Sequence, residues 1–313
     1  MTKDVRTHST TVEVSEPVPS EVAVGAEIVL KVEVSCDAGC DLRGMPVKVT
    51  APDGVVLTIA LATHDAEINE TEAITLMAPQ RVGEHAWSVV FAPHEVDGIL
   101  HEAKTLPVSV RTRPHTTSLA VWAIPSPVVM GERFGIKVGA KSAAGCKLDT
   151  KKIEVCDETG AIVARASLGE TPWPETSALY WTDVELLAPA EEGMFSWSVK
   201  FAAAELELPH DGALSNFSVA IVKPPQHRLT VKVVEKDTAA PIENAQVRLG
   251  VYRAATDPSG LAEIKMPNGI YDLNVWKVGY EAAPRTVEVN EDVTVQVEAL
   301  IVPEENPDEA WLM

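Results

Sequence analysis

Residues 25–40 read GAEIVLKVEVSCDAGC and residues 131–146 read GERFGIKVGAKSAAGC. Both open on Gly, continue as an alternating strand and close on Ala-Gly-Cys-x-Leu, with Cys40 and Cys146 in register at an offset of 106. Working outward, Met77-Ala78-Pro79 matches Leu187-Ala188-Pro189 at an offset of 110. Trp87-Ser88-Val89-Val90-Phe91-Ala92 matches Trp197-Ser198-Val199-Lys200-Phe201-Ala202 at the same offset, and His101-Glu102 lies beside His210-Asp211 at 109. A small drift that falls in loops is what a duplicated domain leaves behind.

Each copy alternates with period two. Ile28, Leu30, Val32 and Val34 share one face, and Trp87, Val89 and Phe91 repeat the pattern. Such strands, separated by turns like Pro52-Asp53-Gly54 and Glu158-Thr159-Gly160, predict an antiparallel sandwich. About seven strands in about 105 residues is the size of an immunoglobulin-like domain, although the Cys–Trp–Cys spacing of antibody domains is missing. Each module opens on a stretch holding one histidine: His8, His115 and His227. Proline near these joints stiffens them. The expected domains are residues 1–111, 112–223 and 224–302, followed by an acidic tail, 303–313.

The third module carries Ala240-Pro241-Ile242-Glu243-Asn244-Ala245, Thr256-Asp257-Pro258-Ser259-Gly260, Asn268-Gly269-Ile270-Tyr271-Asp272-Leu273 and Gly279-Tyr280. In this order they resemble the carboxypeptidase regulatory-like family, transthyretin-shaped sandwiches related to Cna-B surface repeats. The resemblance implies a non-catalytic stabilising or binding module. Many Cna-B modules cross-link Lys to Asn with the help of a Glu. Here Val275 stands where that Glu falls, so Lys232 and Lys236 lack their activating acid and no isopeptide is expected. The fold class expected for the chain is thus all-β: three tandem antiparallel β-sandwiches, two immunoglobulin-like and one transthyretin-like.

Composition narrows the function classes. The chain has 313 residues and a net charge of −20, and no module is basic. A phosphate-backbone partner is disfavoured, so no nucleic acid is expected. Residues 1–14 hold no signal-peptide core, and no apolar run reaches transmembrane length. A cytoplasmic location with reduced cysteines follows as the simpler expectation, an extracytoplasmic one if the N-terminus is a processed form.

No constellation reads as catalytic. There is no Gly-x-Ser-x-Gly elbow and no Gly-rich phosphate loop. His101 and His210 are weak candidates for metal ligands, but one His per domain falls short of a zinc shell, so no metal and no cofactor are expected. Cys36 and Cys40, spaced C-x3-C, are too few ligands alone, and the repeated Ala-Gly-Cys reads as a small buried thiol at a sandwich corner. Partner docking is assigned to the Pro-rich insertion with Trp173, Tyr180 and Trp181, absent from the first copy, and to the tail ending in Trp311, Leu312 and Met313. The expectation is a non-catalytic interaction or accessory subunit that binds a protein partner or itself, without membrane insertion. Two alternatives stand beside it: an extracytoplasmic carbohydrate- or surface-binding protein, and a metal-dependent enzyme.

Overall fold

The computed structural model describes residues 6–96, 98–202 and 204–302, and among these every regular element is a strand. The tail with Trp311, Leu312 and Met313 lies outside the described residues. The chain divides into two compact units. One comprises Met1–Ser118, Lys141–Lys147 and Ala202–Ala213; the other comprises Leu119–Ala140, Leu148–Phe201 and Leu214–Met313.

In the first repeat, Gly83–Phe91 runs antiparallel between Pro46–Thr50 and Lys104–Arg113. Thr10–Val14, Val32–Cys36 and Ile68–Thr71 pair side by side. The alternation of the sequence is the burial pattern: Trp87, Val89 and Phe91 point inward against Leu30, Val32, Val34, Val47 and Val49. Each such side chain taken out of water contributes about 1.5–3 kcal/mol. The pairing is not wholly antiparallel, because Glu21–Ala23 joins Lys104–Arg113 in parallel and Arg6–His8 joins Ile99–His101 in parallel.

The second repeat forms a three-stranded sheet of Thr117–Trp122, Arg133–Ser142 and Tyr180–Leu187. A five-stranded sheet runs Val128–Val129, Ala213–Val222, Gly193–Phe201, Lys152–Cys156 and Ile162–Ser167. Trp197, Val199 and Phe201 are buried like their counterparts in the first repeat. The copies differ after the strand that leads away from the core. In the first, Val56–Asp65 turns through Ala66, at a φ of 53°, straight into Ile68–Thr71. In the second, residues 168–179 take the place of that hairpin.

This insertion packs on its own sheet. The Trp173 ring stands edge-on to Trp122 at 5.1 Å and to Trp181 at 4.8 Å. The Lys137 ammonium lies 4.4 Å from the Trp181 centroid. Gly139 makes room for the stack, since a Cβ there would come within 2.9 Å of Leu179 and 3.1 Å of Trp122. Tyr180 is only 5% exposed and has no face to offer a partner, which removes it from the expected docking set. Trp173 and Trp181 are half-buried.

The third sandwich has two four-stranded sheets. One runs Leu261–Met266, His227–Glu235, Val293–Ile301, Tyr280–Ala282, and the other runs Tyr252–Ala255, Gln246–Leu249, Gly269–Trp276, Arg285–Val289. Its Thr-Asp-x-x-Gly turn is built as the motif demands. Asp257 Oδ1 accepts the N–H groups of Ser259 at 2.8 Å and Leu261 at 3.0 Å. The Thr256 hydroxyl donates to the Ile242 carbonyl and accepts the Ala245 N–H. Val275 packs against the core, while Lys232 and Lys236 point outward to solvent.

Candidate metal centres

Backbone pairing brings the two ends of the first repeat together. Arg6–His8 lies in register with Ile99–His101, so His8 sits directly beside His101. The Glu102 N–H donates to the His8 carbonyl at 3.1 Å, and the Asp37 N–H to the Ser9 carbonyl at 3.2 Å. That second bond fastens the turn after Val32–Cys36 against the same corner. Gly39 then takes a φ of 65°, a conformation glycine adopts freely, and turns Cys40 back toward Cys36.

The result is a four-residue cluster of His8, Cys36, Cys40 and His101, whose ligand atoms all lie within 4.8 Å of one another. His8 Nδ1 is 3.1 Å from Cys40 Sγ and 3.8 Å from Cys36 Sγ. A tetrahedral zinc with bonds of about 2.3 Å to sulfur and 2.0–2.1 Å to nitrogen spaces its donors by about 3.3–3.8 Å, close to what these side chains present. His101 is 1% exposed; its Nδ1 faces the His94 carbonyl at 3.4 Å, and its Nε2 has no partner. With the proton on Nδ1, the lone pair of Nε2 faces inward, the arrangement of a ligating histidine held by a backbone acceptor.

The second repeat rebuilds this corner. The His115 N–H donates to the Pro209 carbonyl, the Asp211 N–H to the His115 carbonyl and the Ala143 N–H to the Thr116 carbonyl. The last two are the counterparts of the bonds at His8 and Ser9. His115, Cys146 and His210 cluster as their equivalents do, with His115 Nδ1 3.2 Å from Cys146 Sγ. His210 Nδ1 lies 2.8 Å from the Leu208 carbonyl, and its buried Nε2 has no partner. His115 Nε2 lies 3.0 Å from the Val24 carbonyl, leaving Nδ1 for the cluster. The position of Cys36 is held by Ser142, which is fully buried.

Two expectations from the sequence are corrected here. The count of one histidine per site does not hold, because His8 and His101 gather with Cys36 and Cys40, and His115 and His210 gather with Cys146. Cys40 and Cys146, expected as small buried thiols at a corner, are half-buried, and each faces a histidine. The signal was in the sequence: His8/His115, Cys40/Cys146 and His101/His210 recur at offsets of 107, 106 and 109. What was missed is that they form one set.

All four cysteines are free thiols. Burial pushes the Cys40 thiol up to about 11, and the hydrogen bond and charge of neighbouring Cys36 push it the same way. A nucleophilic cysteine needs the opposite shift, so a Cys–His catalytic pair is disfavoured. A cation between the two thiols removes the proton and reverses the effect.

No family model and no curated relative matches the chain. Among solved structures it is similar to the adhesin InvE of Yersinia pseudotuberculosis, at 17% identity over 68% of this chain and 58% of that one, with a TM-score of 0.28. It is also similar to the major pilin subunit of Bacillus cereus, at 10% identity over 94% and 99% of the two chains, with a TM-score of 0.23. Domains 4 and 5 of the S-layer protein SbsC match at 14% identity over 68% and 97%, with a TM-score of 0.26. The chain spans a little over half the length of the adhesin structure. Against the expected cytoplasmic location, the matched structures are an adhesin, a pilin subunit and domains of an S-layer protein. Among the described residues no helix is long and apolar enough to cross a membrane.

Proposed function

We propose that this chain is a non-catalytic interaction or accessory protein of sandwich modules, 1–111, 112–223 and 224–302, in which a transition metal ion fastens the N-terminal strand to its module. The single observation behind the metal is the His8–Cys36–Cys40–His101 cluster, with the buried Nε2 of His101 left without a partner. Two thiolates and two imidazoles form a neutral shell around a divalent ion, and a closed four-ligand shell of this type suits structural zinc. The ion would join His8 at the start of the module to Cys36 and Cys40 at a turn and to His101 near its end. The third module is read as carboxypeptidase regulatory-like on the motifs around Thr256 and Asn268, and it carries no chemistry of its own.

The test is metal analysis of the natively purified chain beside a Cys36→Ser/Cys40→Ser variant. Zinc in the wild type, reduced by one equivalent in the variant, supports the reading. Metal-free wild-type protein that also fails to take up zinc overturns it.

A second reading, an extracytoplasmic carbohydrate- or surface-binding protein, has one observation in its favour. Trp276 is 64% exposed and borders an open groove of about 710 Å³ with Arg248, Arg253, Asp272 and Asn274. An exposed indole flanked by polar groups is a stacking platform for a sugar ring. Glycan binding abolished by Trp276→Ala would favour this reading.

A further inference from the structure

The two centres differ by one ligand, and the difference falls on a buried position. Ser142 occupies the place of Cys36, at the last residue of the equivalent strand and at the start of an equivalent Gly-containing turn: Gly145 has a φ of 73° where Gly39 has 65°. The rest of the shell is retained, including the carbonyl behind the second histidine and the unpartnered Nε2. His115 and His210 are 6% and 3% exposed and Ser142 is fully buried, while Cys146 is half-buried, the most exposed member of the cluster.

Charge separates the centres further. A divalent ion at the first is balanced by two thiolates. At the second, one thiolate leaves a net positive charge in a largely buried corner, which is costly unless an anion accompanies it. Three protein ligands with a free fourth place also define an open zinc site, the kind that keeps water or an exogenous donor. A neutral serine hydroxyl does not replace a thiolate in either respect.

Resting on the reading of the first cluster as a metal site, we infer that His115, Cys146 and His210 hold a second divalent ion whose fourth coordination position is open to an exchangeable small anion. The first centre is closed and structural. The second is open and responds to what is dissolved around it. Hydroxide from water is the resting occupant, and azide or cyanide displaces it.

Cobalt(II) reads both centres in the full-length chain, because its visible bands report the number of thiolates and the coordination number. The expected result is two equivalents of cobalt, with azide changing the bands of one of them saturably. In Ser142→Cys the azide response disappears and thiolate-to-cobalt charge transfer increases, since the second centre now copies the first. His210→Ala loses the azide response by losing the ion. Two bound cobalt ions that are both blind to azide would overturn the inference and leave the first centre standing. A single equivalent that vanishes in Cys36→Ser/Cys40→Ser overturns it in the same way, by showing the second cluster empty. Failure to bind any cobalt or zinc removes both readings together. The wild-type azide titration stands even if a variant does not fold.

Discussion

His8 Nδ1 and Cys40 Sγ face each other at 3.1 Å across 32 residues of sequence, and the same pair recurs 107 and 106 residues later as His115 and Cys146 at 3.2 Å. A thiol–imidazole contact kept through duplication points to a role beyond packing. With His101 and Cys36 drawn in, the contact becomes a shell.

If a metal closes that shell, chelation destabilises the first module. Thermal unfolding followed by circular dichroism should shift down by roughly 10 °C on adding a chelator. Cys40→Ser should start at a lower temperature than the wild type and respond less to the chelator, since only the centre at His115, Cys146 and His210 is left to empty. Equal chelator shifts in the wild type and the variant would place the effect elsewhere.

Asn69 positions the ligand turn. It is fully buried; its Oδ1 accepts the Leu42 N–H at 2.8 Å and its amide donates to the carbonyls of Cys40 at 3.1 Å and Val34 at 3.3 Å. Asn69→Ala removes the side-chain partner of the buried Leu42 N–H and Val34 carbonyl and of the part-buried Cys40 carbonyl, and should cost about 2–4 kcal/mol in urea unfolding. A purely structural role would leave zinc affinity unchanged in the folded variant. Here a loss of about 10–100-fold is expected, as for other groups that orient metal ligands.

Gly260 in the third module admits no side chain. Its φ is 75°, and a Cβ would lie 2.6 Å from the Val233 carbonyl oxygen. Gly260→Ala should destabilise that module by at least about 2 kcal/mol. Ser259→Ala, one residue earlier on an exposed turn, serves as the control and should stay within about 0.5 kcal/mol.

Tyr252 gives the third module an alkaline limit. Burial, followed by the charges of Tyr271 and Glu192, pushes its phenol up to about 12. The unfolded phenol titrates near 10, so the neutral group's contribution is complete below about pH 10 and is lost as pH rises toward 12. Ultraviolet titration should show a late tyrosine step near 12 that is missing in Tyr252→Phe; a late limb unchanged in that variant would refute it.

The strands were legible because a two-residue period leaves a direct mark: Trp87, Val89 and Phe91 alternate in the sequence and point inward in the fold. The Asp257–Gly260 turn was equally plain, because one carboxylate and one positive φ define it locally. The metal corner was not. Its members lie as far apart as His8 and His101, and they meet through a parallel pairing of Arg6–His8 with Ile99–His101 that no local pattern records. The Trp173 insertion was visible as a difference between copies, but its packing on Trp122 and above Gly139 depends on a sheet that only the tertiary structure assembles.

The most direct test of the metal shell is X-ray absorption at the zinc edge, on full-length Cys146→Ser protein loaded with one equivalent so that the first centre alone is read. The expected first shell has two sulfurs at about 2.3 Å and two imidazole nitrogens at about 2.0–2.1 Å. A shell of oxygen and nitrogen only, or one without histidine scattering, would contradict the assignment of His8, Cys36, Cys40 and His101 as its ligands.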